Sequence, residues 1–122
     1  MKSIFSQKSL DKMKGVDERL VKVMQATIAD TPYDFGITEG LRTVERQRQL
    51  VDQGLSLTMN SKHIVGKAVD IVIYINGKPN WEFSKYKEVA DKVMEKAKEL
   101  GISVRWGGTF KKLKDGPHFE LM

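Results

Sequence analysis

Ala68-Val69-Asp70-Ile71-Val72-Ile73-Tyr74-Ile75, followed directly by Asn76-Gly77, is the stretch on which the fold class turns. It is a β-branched run of strand length, and Asn-Gly is the strongest short signal for a hairpin turn. Period two places Val69, Ile71, Ile73 and Ile75 on one face and Asp70, Val72 and Tyr74 on the other. Past the turn, Ser84 is positioned to cap a helix whose apolar stripe is Tyr86, Val89, Ala90, Val93, Met94, Ala97 and Leu100, stopped by Gly101. Residues 102–106 and 117–121 then read as two strands of an antiparallel hairpin, joined by a loop that holds Gly107-Gly108 and a lysine cluster.

Upstream of the run, residues 55–67 are polar and carry no period. Before them Thr43 can cap a helix over 44–53 that Gly54 ends. Residues 35–41 alternate, with Phe35, Ile37 and Leu41 on one side, so a half-buried strand is expected. Over 17–29, Leu20, Val21, Met24, Thr27 and Ile28 recur at helical spacing. Helices mixed with strands joined by hairpin-like turns predict an α+β domain with a mainly antiparallel sheet. With 122 residues and no linker or repeat, one domain spanning 1–122 is expected, without a second domain. The first seven residues are expected to be dispensable.

Cysteine is absent, which excludes disulfides, thiolate metal sites and cysteine nucleophiles, so any metal must be held by histidine and carboxylates. The apolar run at the N-terminus breaks after Ile4-Phe5, too early for a signal peptide, and no stretch has the length of a membrane span. Synthesis in the cytoplasm with no membrane insertion is the expectation. The 21 basic against 16 acidic residues leave a charge of +5, which favours an anionic partner without naming one.

The two histidines are His63 and His118. Asp70 lies inside the decisive strand, where a carboxylate is rare and costly to bury unpaired, so either it faces water or a cation compensates it. In Asp115-Gly116-Pro117-His118-Phe119-Glu120, alternation puts His118 and Glu120 on one face and Phe119 on the other. His63, Asp70 and His118 fit the count of three protein ligands for an open zinc site. Spacing alone does not separate this from ordinary surface or core histidines.

Several motifs in one order sharpen the reading. Ser61-x-His63-x-x-Gly66-x-Ala68-x-Asp70, then Trp106-Gly107-Gly108, then Asp115-x-Pro117-His118-Phe119-Glu120, with Gly40-Leu41-Arg42-Thr43 upstream, resembles the zinc D-alanyl-D-alanine carboxypeptidase family, and within it the phage L-alanyl-D-glutamate endopeptidases. The resemblance implies a hedgehog/D-Ala-D-Ala-peptidase-like fold. It also implies Zn2+ held by His63, Asp70 and His118, with Asp115 as acid/base and Arg42 as a group that stabilises the oxyanion or grips a substrate carboxylate. Ser61 is implied to contact substrate or brace its loop. Glu120, whose side chain points to the same side as His118, is expected to orient a ligand and is the second choice after Asp115 for the acid/base role. Trp106 is expected to line the cleft, and Gln47, which matches a family position, is grouped with the substrate-binding candidates. Leu41 and Thr109-Phe110 depart from the family's usual Tyr and Asp-Trp.

The leading expectation is thus a phage endolysin that cuts peptidoglycan between L-alanine and D-glutamate. It would act from the host cytoplasm as a monomer, after a separate holin-like partner permeabilises the membrane. A D-alanyl-D-alanine carboxypeptidase and a non-catalytic zinc-containing wall-binding module are the alternatives. Nucleic-acid binding rests only on pI and on Lys111, Lys112 and Lys114, with no aromatic residues interleaved to stack on bases, and is not favoured.

Overall fold

The computed structural model describes residues 4–56, 59–111 and 114–122. Lys112 of the lysine cluster falls outside these residues. The chain runs α1 (Gln7–Lys12), α2 (Glu18–Ile28), β1 (Asp34–Glu39), α3 (Val44–Asp52), β2 (Ala68–Ile75), β3 (Lys78–Asn80), α4 (Phe83–Leu100), β4 (Val104–Trp106) and β5 (His118–Leu121), with a 3-10 turn over Gly107–Thr109. The sheet order is β1-β2-β5-β4, β3 pairs with β2, and every pairing is antiparallel.

Strand β2 is the axis, as its composition requires. Val69, Ile71 and Ile73 are fully buried, and on the same face lie their partners Phe119, Ile37 and Phe35. Helices α2 and α4 cover this face with Leu20, Val23, Met24 and Ile28 from one and Tyr86, Val89, Ala90, Val93 and Ala97 from the other. Asn76 and Gly77 both take positive φ, 54° and 76°, the geometry of a twist-matched hairpin turn. Gly101 closes α4 in the left-handed conformation at φ 69°. Helices α2 and α4 shield the face of Val69, Ile71 and Ile73, and on the opposite face, that of Asp70, a cleft lies beside α3, whose Leu50 lines it.

Three local expectations need correction. Helix α4 begins at Phe83 rather than after Ser84: Glu82 occupies the cap position without a side-chain bond, and Phe83, now in the first turn, stacks on Trp106 at 5.3 Å. Its buried stripe is narrower than the apolar pattern, since Met94 and Leu100 are exposed. Leu41 does not share a face with Phe35 and Ile37: β1 ends at Glu39 and Leu41 is exposed. The N-terminal segment is more engaged than its sequence suggests. Phe5 is buried edge-on against Phe35 at 5.5 Å, Ser6 caps α1, and the buried Ser9 Oγ accepts a hydrogen bond from Ile37 N at 3.0 Å. Deleting residues 1–7 would strip the cap from α1 and empty the Phe5 site, the kind of cavity that destabilises a core.

Candidate active site

The cleft face carries a transverse row. Glu39 pairs with Asp70, and Asp70 with His118. Cross-strand partners share a face, so the three side chains emerge together. Strict alternation from Phe35 and Ile37 would have turned Glu39 into the core. An irregularity between Ile37 and Glu39 shifts the register by one residue and swings it onto the face of Asp70. His63 joins from the loop before β2. Gly66 shapes that loop: at φ 70° it passes so close to the Gly15 carbonyl that a Cβ would lie 2.3 Å from it.

His63, Asp70 and His118 bring one ligand atom each to within 4.8 Å of one another. The hydrogen-bond pattern around them decides what they suit. His63 Nδ1 lies 2.8 Å from the Gly40 carbonyl, which can only accept, so Nδ1 carries a proton, and the other ring nitrogen, Nε2, faces Asp70 Oδ1 at 3.1 Å. His118 mirrors this, with Nε2 2.8 Å from Glu120 Oε1 and Nδ1 3.0 Å from the same Asp70 oxygen. Two imidazole nitrogens thus converge on one carboxylate oxygen, while the far side of each ring is anchored by an acceptor. Such an arrangement suits histidines that are to ligate a cation, and Glu120 is placed where an orienting carboxylate would stand.

The charges fit the same reading. Burial alone would raise the Asp70 pKa, but the hydrogen bonds and charges of His118 and His63 hold it well below the usual carboxylate range. Burial alone would lower that of His118, yet Asp70 and Glu120 push it up to about 9. In the metal-free chain His118 is therefore an imidazolium at neutral pH, and a bound cation must expel its proton.

Around the triad is a cleft of about 490 Å³ whose lining includes Glu39, Arg42, Ser61, Lys62, Phe110 and Asp115. Burial first, then the nearby charge of Asp70, raises the Asp115 carboxyl above its ordinary range. Arg42, nearly buried, donates from Nε and Nη2 to both oxygens of Glu39 at 2.7 and 2.8 Å and from Nη1 to Gln47 Oε1 at 2.7 Å. Its Nη2 also reaches Asp70 Oδ2 at 3.5 Å. Ser61 lines the cleft and braces the loop, its Oγ accepting from His63 N at 3.2 Å.

Two candidates are placed differently from expectation. Gln47 does not contact the cleft: it is fully buried, accepting from Arg42 and donating to Ser56 Oγ at 2.9 Å. Trp106 does not line the cleft either. It pairs with Phe119 on the core face, and its indole Nε1 donates to the Gly116 carbonyl at 2.7 Å, bracing the loop beside Asp115. Its neighbour Arg105 pairs with Glu120 and so belongs to the cleft face. Glu39 and Arg105 were missed by sequence reasoning. Alternation outward from His118 and Glu120 could have found Arg105, whereas nothing in the sequence announced the register shift that exposes Glu39. At the Thr109-Phe110 departure, Phe110 packs against His118 with ring centroids 5.6 Å apart.

The model of the phage L-alanyl-D-glutamate peptidase family matches residues 1–122. The chain belongs to that family. It is similar to the L-alanyl-D-glutamate peptidase of Escherichia phage T5, 35% identical over 97% of each chain. The peptidoglycan L-alanyl-D-glutamate endopeptidase CwlK of Bacillus subtilis (strain 168) is 30% identical over 81% of this chain and 67% of its own. Among solved structures, the Serratia marcescens L-Ala D-Glu endopeptidase ChiX superposes with a TM-score of 0.92 at 40% identity, covering 99% of this chain and 91% of that one. The α+β single-domain fold of the family is therefore that of this chain.

Proposed function

We propose that the chain is a zinc-dependent endopeptidase that hydrolyses the L-alanyl-D-glutamate bond of peptidoglycan stem peptides, as the lytic enzyme of a bacteriophage. One observation carries the reading: two imidazole nitrogens and a carboxylate converge in an open cleft, their outer atoms already anchored, in a member of this peptidase family. His63, Asp70 and His118 would hold the ion, and nitrogen and oxygen donors numbering three suit an open zinc site. When bound, zinc supplies Lewis acidity and brings the acidity of water close to neutral pH.

The residues around the ligands supply the rest. Asp115, its basicity raised by burial, accepts a proton from water at its carboxylate and returns it to the departing amine nitrogen of D-glutamate. Arg42 holds Asp70 in place and presents its uncommitted Nη1 N–H to a developing oxyanion. Glu39 and Gln47 hold Arg42 in that pose, and Ser61 keeps the His63 loop in register.

The names of the relatives favour the endopeptidase over the carboxypeptidase alternative. We further propose that the protein accumulates as a monomer in the host cytoplasm and reaches the wall once a separate holin-like partner has opened the membrane. Among the described residues no helix is long and apolar enough to cross one. Digestion of purified peptidoglycan followed by mass spectrometry of the new termini tests the activity. New amino-terminal D-glutamate, with L-alanine retained on the sugar side, is expected. Released D-alanine without such termini would instead establish the carboxypeptidase.

A further inference from the structure

A peptide bond between L-alanine and D-glutamate brings an obligatory anion with it. Glutamate has two carboxyl groups and only one can continue the chain, so the other remains a carboxylate within a few bonds of the cleaved amide. The cleft must accept that charge, yet its own lining carries four carboxylates: Glu39, Asp70, Asp115 and Glu120. A cation has to be set against the incoming one.

Apart from the two histidines that would face the metal, the cationic side chains lining the described part of the cleft are Arg42 and Lys62. Arg42 is committed to both oxygens of Glu39, to Gln47 and to Asp70, so it has no pair of donors left to fork onto a carboxylate. Lys62 differs. One of its ammonium hydrogens is tied to the Leu121 carbonyl at 2.6 Å, which fixes the head of a flexible side chain, and it forms no ion pair among the described residues. Glu120, the carboxylate whose charge it feels, has one oxygen engaged by His118. Arg105 approaches from β4 on the same side, its guanidinium 4.6 Å from the Phe110 ring and paired across the strands with Glu120. The positive end of the cleft therefore lies beyond His118, away from the Arg42 side.

Resting on the endopeptidase reading, the geometry points to Lys62 as the residue that binds the free carboxylate of the D-glutamate and so selects the bond to be cut. The alanine side would then extend toward Leu50 and Leu55, the apolar lining on the α3 side. Binding by an anchored ammonium is a charge-assisted hydrogen bond, and its loss is expected mainly in KM.

The test uses two synthetic stem peptides that differ only in that carboxyl, free in one and amidated in the other, cleaved by the zinc-loaded wild-type protein, Lys62→Met and Lys62→Arg. The wild type is expected to prefer the free carboxylate by about tenfold or more in kcat/KM. In Lys62→Met the ratio should fall toward one through a rise in KM on the carboxylate peptide, and Lys62→Arg should restore much of it. A Lys62→Met variant that keeps the wild-type preference overturns the proposal. So does one that loses both peptides by the same factor, because the Leu121 tie would then be purely structural. Failure of the wild type on both peptides would instead strike the peptidase reading itself.

Discussion

Asp115→Asn is expected to lower kcat by roughly 10² to 10⁴ fold while leaving about one metal ion per chain. Asparagine keeps the shape of the side chain but can neither accept the proton from water nor return it to the leaving amine. The carboxyl lines the cleft and is not one of the three converging ligands, so its loss should not free the metal. The pH profile of the wild type adds a second readout. Burial and the charge of Asp70 raise the Asp115 pKa, and the basic form exists only above that raised value. Activity should therefore fall as pH drops, with an acid limb lying above the ordinary carboxylate value of about 4. Stopped-assay kcat values across pH, with metal content measured on the same samples, check both statements. A variant of unchanged kcat would remove Asp115 from the proton path.

Gly107→Ala is expected to cost about 100-fold in activity without altering any group that does chemistry. A Cβ at position 107 would lie 2.3 Å from the Asp115 carbonyl, 2.9 Å from His118 Cβ and 3.1 Å from Asp115 Cβ. The first of these neighbours is backbone, which cannot rotate away. The Gly107 carbonyl also accepts from Asp115 N at 2.9 Å, so the glycine and Asp115 are fastened together. A methyl group there must push Asp115 and His118, the proposed proton carrier and a proposed metal ligand, apart at once. Gly116→Ala, in the same loop, meets Phe83 and Tyr86 at an ordinary 3.4 Å and is expected to be mild. Steady-state kinetics and metal affinity of the two variants provide the comparison. Equal, small effects from both would mean that the loop tolerates what the geometry forbids.

Where local chemistry decides the structure, the sequence was readable. The β-branched run of β2, the Asn76-Gly77 turn, the Thr43 cap on Arg46 N and the Gly101 stop all follow from the residue types at those positions. His63, Asp70 and His118 could be grouped because family motifs surround them, and the topology brings them together. Other features depend on events between elements. The register shift that turns Glu39 outward has no residue signature, and alternation therefore placed Leu41 on the side of Phe35 and Ile37, where it does not lie. Gln47 and Trp106 show a related limit. Both belong to the site, but as groups that hold Arg42 and the Gly116 carbonyl, and a motif match cannot tell a residue that touches substrate from one that steadies its neighbour. Phe5 gives no periodic signal in a short polar segment, although Phe35 needs its ring to complete the core.

The proposed function requires His63, Asp70 and His118 to share one zinc ion on which activity depends. Elemental analysis of protein reconstituted with zinc and freed of excess, paired with peptidoglycan cleavage before and after chelation, addresses it most directly. About one zinc per chain is expected in the wild type, with activity lost on chelation, restored by zinc, and both metal and activity lost in Asp70→Ala. Full cleavage by metal-free wild type, or stoichiometric zinc retained by Asp70→Ala, would contradict the account.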